Sequence, residues 1–91
     1  MPSRAEVYAA IDSERDYQDR RWNKDTTTSE GLHSWSEWIA YMEDYLAEAK
    51  HLLARNAQQT TERPVAEIMR KVTAMGVKAM EQRGAPHRQT V

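Results

Sequence analysis

The chain has 91 residues, of which 40% are hydrophobic and 30% charged, with three Gly and three Pro. That composition excludes a collagen-like or Pro/Gly-rich disordered chain, and the length allows one domain at most. A formal net charge of -1 gives no general reason to expect nucleic-acid binding, and zero Cys excludes disulfides, thiolate metal sites and cysteine nucleophiles.

The first predicted helix covers about residues 3–21. Ser3 with Glu6 three residues on is a capping-box pattern, in which each side chain serves the other's backbone N–H. Val7, Ile11, Glu14 and Gln18 then follow one stripe at helical spacing, flanked by Tyr8, Arg15 and Trp22. Residues 23–33 have no period. They carry Lys24, three Thr and Ser29 between Trp22 and Trp35, and read as a loop able to act as a lid over a phosphate or a base. One Gly and no Gly-Lys-Ser/Thr exclude a P-loop there.

The second helix is expected over about residues 34–55. Ser34 and Glu37 form another capping box, followed by Trp35, Trp38, Ile39, Met42, Tyr45, Leu46, Ala49, Leu52 and Leu53 on one apolar stripe. A short polar return leads into a third helix, about 62–83, in which Pro64 is tolerated in the first turn. Val65, Ile68, Met69, Val72, Met75, Gly76, Ala79 and Met80 line its apolar face, Gly84 is placed as the C-cap, and Pro86 enforces the stop. Residues 85–91 are expected to fray. The fold class is therefore all-α: a three-helix, mainly antiparallel bundle completed by oligomerisation, with Trp35, Trp38, Met42, Tyr45, Val72 and Met75 buried.

Three Trp, four Tyr and five Met with no Phe suit a core shared between subunits or left partly open to a ligand. No run approaches the ~18 apolar residues a membrane span needs. The first six residues lead into no apolar signal region, so a cytoplasmic protein is expected. Charge divides unevenly. Residues 1–50 hold 11 acids and 6 bases, net -5, and residues 51–91 hold 3 acids and 7 bases, net +4. The third helix is thus the basic element.

Glu14 shares the stripe of Val7 and Ile11, so it must be paired, metal-bound or protonated. Asp44 and Glu48 lie four apart on the second helix, with Glu37 before them and His51 after. That spacing suits either a solvated face or a divalent cation held by oxygen, Mg²⁺ or Mn²⁺. Arg70 and Lys71, with Lys78 two turns after Lys71, put fixed positive charge where a phosphate could sit, or form a solvated basic stripe. No His-Glu-x-x-His, nucleophile elbow, zinc finger or helix-turn-helix is present, so zinc hydrolysis, Ser-His-Asp catalysis and sequence-specific base readout are not expected.

Three stretches carry a family resemblance: residues 10–23 (AIDSERDYQDRRWN), 33–49 (HSWSEWIAYMEDYLAEA) and 67–75 (EIMRKVTAM). They resemble three successive helices of small phage and bacterial MazG-like proteins, which belong to the all-α nucleoside triphosphate pyrophosphatases. The resemblance implies Mg²⁺-dependent hydrolysis of a nucleoside triphosphate to a monophosphate and pyrophosphate, and assembly as dimers or tetramers. It also implies a metal site made of Glu-x-x-Glu on the second helix and Glu-x-x-Asp on the next. Those motifs fall at Tyr45 and Glu48, and at Ile68 and Lys71. Only Glu48 is an acid, with Asp44 one turn before it, and Lys71 would repel a cation. The chain also lacks room for the family's usual fourth helix.

The expectation is a MazG-like protein that binds a nucleotide or a nucleotide-derived phosphate ligand without the normal metal centre and without a cofactor. Lys71, Arg70, Lys78 and Lys24 would meet phosphate, Trp22 or Trp38 would stack, and Glu14 and Glu48 would orient the basic residues. Two alternatives stand beside it. One is a Mg²⁺ pyrophosphatase with Glu14, Asp44 and Glu48 as catalytic and metal-binding acids. The other is a non-enzymatic protein that grips a protein partner, as in phage host takeover or anti-defence within a host cytoplasm.

Overall fold

A computed structural model describes residues 1–21, 32–55 and 62–89 of the chain. Three helices make it up: α1 (Arg4–Arg21), α2 (Trp35–Arg55) and α3 (Glu62–Arg83). They form a three-helix bundle with no strand among the described residues.

The helix ends follow from local chemistry. Ser3 Oγ accepts from the Glu6 N–H at 3.1 Å while the Ser3 N–H donates to Glu6 Oε1 at 3.1 Å. Ser34 and Glu37 repeat that exchange at the head of α2, at 3.1 and 3.0 Å. Each box satisfies two N–H groups that the first turn of a helix otherwise leaves unbonded. At the other end of the bundle, α3 stops at Gly84. Its φ of 129° is open to glycine and strained for other residues, and its N–H closes on the Met80 carbonyl at 2.8 Å.

α3 is the shared neighbour. α1 and α2 both pack on it and make no comparable contact with one another. The two sides of α3 are held by different physics. Toward α2 the contact is apolar: Trp38 meets Met75 and Ala79, and Ala49 meets Ile68 and Val72, with Met42, Tyr45, Leu52 and Val65 packed around them. Burial of Ile68, Val72 and Met75 there stabilises by about 1.5–3 kcal/mol each. The Trp38 indole N–H donates to Gln82 Oε1 at 2.9 Å, and the His33 N–H donates to the same oxygen at 3.1 Å. His33 also stands edge-on to Trp38 and to Tyr41. This cluster ties the start of α2 to the end of α3.

Toward α1 the contact is polar. Of the buried α1 residues, Ile11, Glu14, Arg15 and Gln18, only Ile11 is apolar. Arg15 donates from Nε to Glu81 Oε1 at 2.7 Å, from a terminal nitrogen to Asp19 at 3.0 Å, and to Gln18 Oε1 at 3.2 Å. Asp19 also accepts from Lys78 at 3.2 Å. No buried side-chain nitrogen or oxygen among the described residues lacks a partner, which is the condition for such a seam to hold.

Several expected core positions are open in the chain. Trp35 is 45% exposed and Val7 44% exposed, because α1 docks only from Ile11 onward and α3 does not reach the outer side of α2. Ile39, Leu46, Leu53, Met69 and Met80 are exposed as well. No described helix is long and apolar enough to cross a membrane.

Candidate functional site

On α1, Glu14, Tyr17, Gln18 and Arg21 fall on one face, since residues three, four and seven apart are neighbours along a helix. On α3, Glu67, Arg70, Lys71 and Met75 do the same. The two faces, with Tyr45 of α2, line a cleft of about 520 Å³. Pockets that take small ligands run from about 300 to about 1,000 Å³.

The cleft walls are fixed by two bonds. The Arg70 Nε donates to Glu14 Oε1 at 2.8 Å, and the Glu14 side chain is only 7% exposed. Gln18, at 1% exposure, donates from Nε2 to the Lys71 carbonyl at 3.4 Å. So Glu14 anchors Arg70 by one nitrogen and leaves its terminal guanidinium nitrogens without an acceptor among the described residues. Lys71 has no carboxylate partner among the described residues; its ammonium lies 6.0 Å from the centre of the Tyr45 ring. Three cations (Arg21, Arg70, Lys71) face two carboxylates (Glu14, Glu67) across the lining, a formal surplus of one positive charge.

Beside the cleft, burial works against the Arg15 charge, but the hydrogen bonds to Glu81 and Asp19 outweigh it and hold its pKa above the ordinary value. Partial burial raises the Asp19 carboxyl, and the bonds from Lys78 and Arg15 more than reverse this, so its pKa lies below the ordinary range. Glu37 is also lowered, by the Ser34 backbone N–H first and the Ser34 hydroxyl second.

Of the expected site residues, the structure brings Glu14, Arg70 and Lys71 together. Glu14 accepts from Arg70 Nε. Glu48 is exposed, makes no ion pair with Lys71, and lies outside the cleft, as does Asp44. Lys78 is taken by Asp19 and does not line the cleft. Trp38 is 3% exposed in the core with its N–H bonded to Gln82, which leaves no ring face for a ligand. Trp22 and Lys24 lie outside the described residues, as does most of the expected lid. Tyr17, Gln18, Arg21, Tyr45 and Glu67 were not singled out as site residues. Glu14 and Gln18 share the stripe read from the sequence; Tyr17 and Arg21 beside them carry no sequence signal, and only the α3 face opposite makes the four a cleft wall.

Among the described residues no group of three or more Asp, Glu or His comes together as metal ligands. The cleft's own donor set, two carboxylates among three fixed cations, suits an anion better than Mg²⁺. No protein-family model, no curated protein and no solved structure matches the chain.

Proposed function

We propose that the α1–α3 cleft binds a small anionic ligand in which a phosphate is joined to an aromatic ring, with nucleotides as the class. The observation that carries the reading is the adjacent pair Arg70 and Lys71. Among the described residues, one is aimed by a buried carboxylate and has no acceptor for its terminal nitrogens, and the other has no counter-ion. A guanidinium fork meets two phosphate oxygens at once, and a neighbouring ammonium adds a point charge. Tyr17 and Tyr45 line the same cleft, and an aromatic side chain is what a base stacks on. The MazG-like resemblance is a further reason to try nucleotides first.

In this reading the ligand is bound and not cleaved: of the acids of the pyrophosphatase reading only Glu14 lines the cleft, where it is bonded to Arg70, while Asp44 and Glu48 lie outside it. A homo-oligomeric state, a cytoplasmic location and a phage-encoded role belong to the same proposal. Calorimetry against a panel of linear and cyclic nucleotides tests it. Saturable heat with one ligand per cleft is expected, and silence from every member at millimolar concentration overturns the reading. Pyrophosphate release that needs Mg²⁺ and vanishes in Glu48→Gln would favour the enzyme instead.

A further inference from the structure

The outer side of α2 is an apolar strip that no described part of the chain covers. Trp35, Ile39, Leu46 and Leu53 are 45%, 53%, 41% and 53% exposed. With Met42 and Ala49 they fall at positions 35, 39, 42, 46, 49 and 53, alternating steps of four and three, which is the spacing of a helix-pairing seam. α3 covers the Met42 and Ala49 edge and leaves the rest.

At 100° per residue, Glu43 and Lys50 border the strip on the side away from α3. Both are exposed, opposite in sign and seven residues apart, and neither has an ion-pair partner among the described residues. When two copies of α2 run antiparallel about a two-fold axis at Leu46, that leucine meets its own copy. Ile39 then faces Leu53 of the partner subunit. Glu43 falls beside Lys50 of the partner subunit, and the reverse pair forms by symmetry. Glu43 and Lys50 lie on the same flank of α2, and the antiparallel two-fold keeps that flank of both copies on one side of the seam. A parallel pair would put the two copies of each charge on opposite flanks, unpaired, so the charge order favours the antiparallel arrangement.

We infer that the chain is a homodimer joined by antiparallel α2 helices through Trp35, Ile39, Leu46 and Leu53. This stands on the α2 surface and does not depend on what the cleft binds.

Sedimentation equilibrium of the full chain at micromolar concentration is the test. The expected mass is about 21 kDa, twice the 10.6 kDa of one chain. Leu46→Glu should return it to one chain with its helical circular dichroism intact. Glu43→Lys or Lys50→Glu alone should weaken the dimer about tenfold, because two ion pairs become two repulsions, and the double exchange should restore it. Since the chain has no Cys, Leu46→Cys gives a single reporter that should cross-link the dimer under mild oxidation. A monomeric wild type overturns the inference. So does a dimer that survives Leu46→Glu and does not cross-link through Leu46→Cys, and single charge reversals without effect overturn the antiparallel register.

Discussion

Replacing Gln18 by methionine tests how α1 is held. Methionine has nearly the same length, so the change removes polarity and little volume. Two bonds are lost: the one to the Lys71 carbonyl at 3.4 Å and the one from Arg15 at 3.2 Å. The first is long and sits at the weak end of the usual range, about 0.5 kcal/mol; the second involves a charge and is worth about 1.5 kcal/mol. Arg15 keeps Glu81 and Asp19, so its charge stays paired while one buried N–H group loses its acceptor. Burial of the methionine thioether returns about 1 kcal/mol at most. The net loss is about 1–2 kcal/mol, which for a domain of this size lowers the melting temperature by about 5–15 °C. Urea unfolding followed by circular dichroism measures it. An unchanged or raised midpoint would mean that the polar seam does not dock α1 on α3.

Other perturbations follow from the same geometry. Asp44→Ala and Glu48→Ala remove exposed acids with no ion pair among the described residues, so each should shift stability by less than about 0.5 kcal/mol and leave nucleotide affinity unchanged in calorimetry. Gly76→Ala should stabilise by about 0.5–1 kcal/mol, since the new Cβ meets Met42 Cε at 3.5 Å, an ordinary contact, and the helix loses its glycine penalty; a lower melting temperature would refute this. Asp19 and Glu37 have folded pKa values below their unfolded ones. Their stabilisation is therefore complete above about pH 5 and lost as pH falls through the lowered folded values. The urea midpoint should drop as pH falls below about 5, and Asp19→Asn should reduce that drop.

Most of the fold was legible because helix starts are written locally. Ser3 with Glu6 and Ser34 with Glu37 place two N-termini, and Gly84 places a C-terminus. The apolar stripe of α2 was legible as a stripe but not as two surfaces. From Leu52 round to Ile39 it spans about 140° of the helix. α3 covers the part holding Trp38, Met42, Tyr45, Ala49 and Leu52, and Trp35, Ile39, Leu46 and Leu53 remain outside. Angular width can be read from sequence; how many neighbours share it cannot.

The site was legible where a residue's chemistry conflicted with its position. Glu14 on a buried stripe demanded a partner, and Arg70 is that partner. Arg70 and Lys71 stood out as adjacent fixed charges. Tyr17 and Arg21 did not, because a tyrosine and an arginine on an amphipathic helix are ordinary until another helix closes over them. Trp38 misled for the opposite reason. An indole suits stacking, but here its N–H has a partner at Gln82 and its ring fills the core.

The central claim is that the cleft holds a nucleotide through Arg70 and Lys71. Lys71→Met tests it most directly, since Lys71 has no carboxylate partner among the described residues and its removal leaves the α1–α3 bonds in place. Calorimetry of the best-binding nucleotide against wild type and this variant is the measurement. The variant should bind about tenfold more weakly or worse, with an unchanged melting temperature. Equal affinity in the two proteins would contradict it.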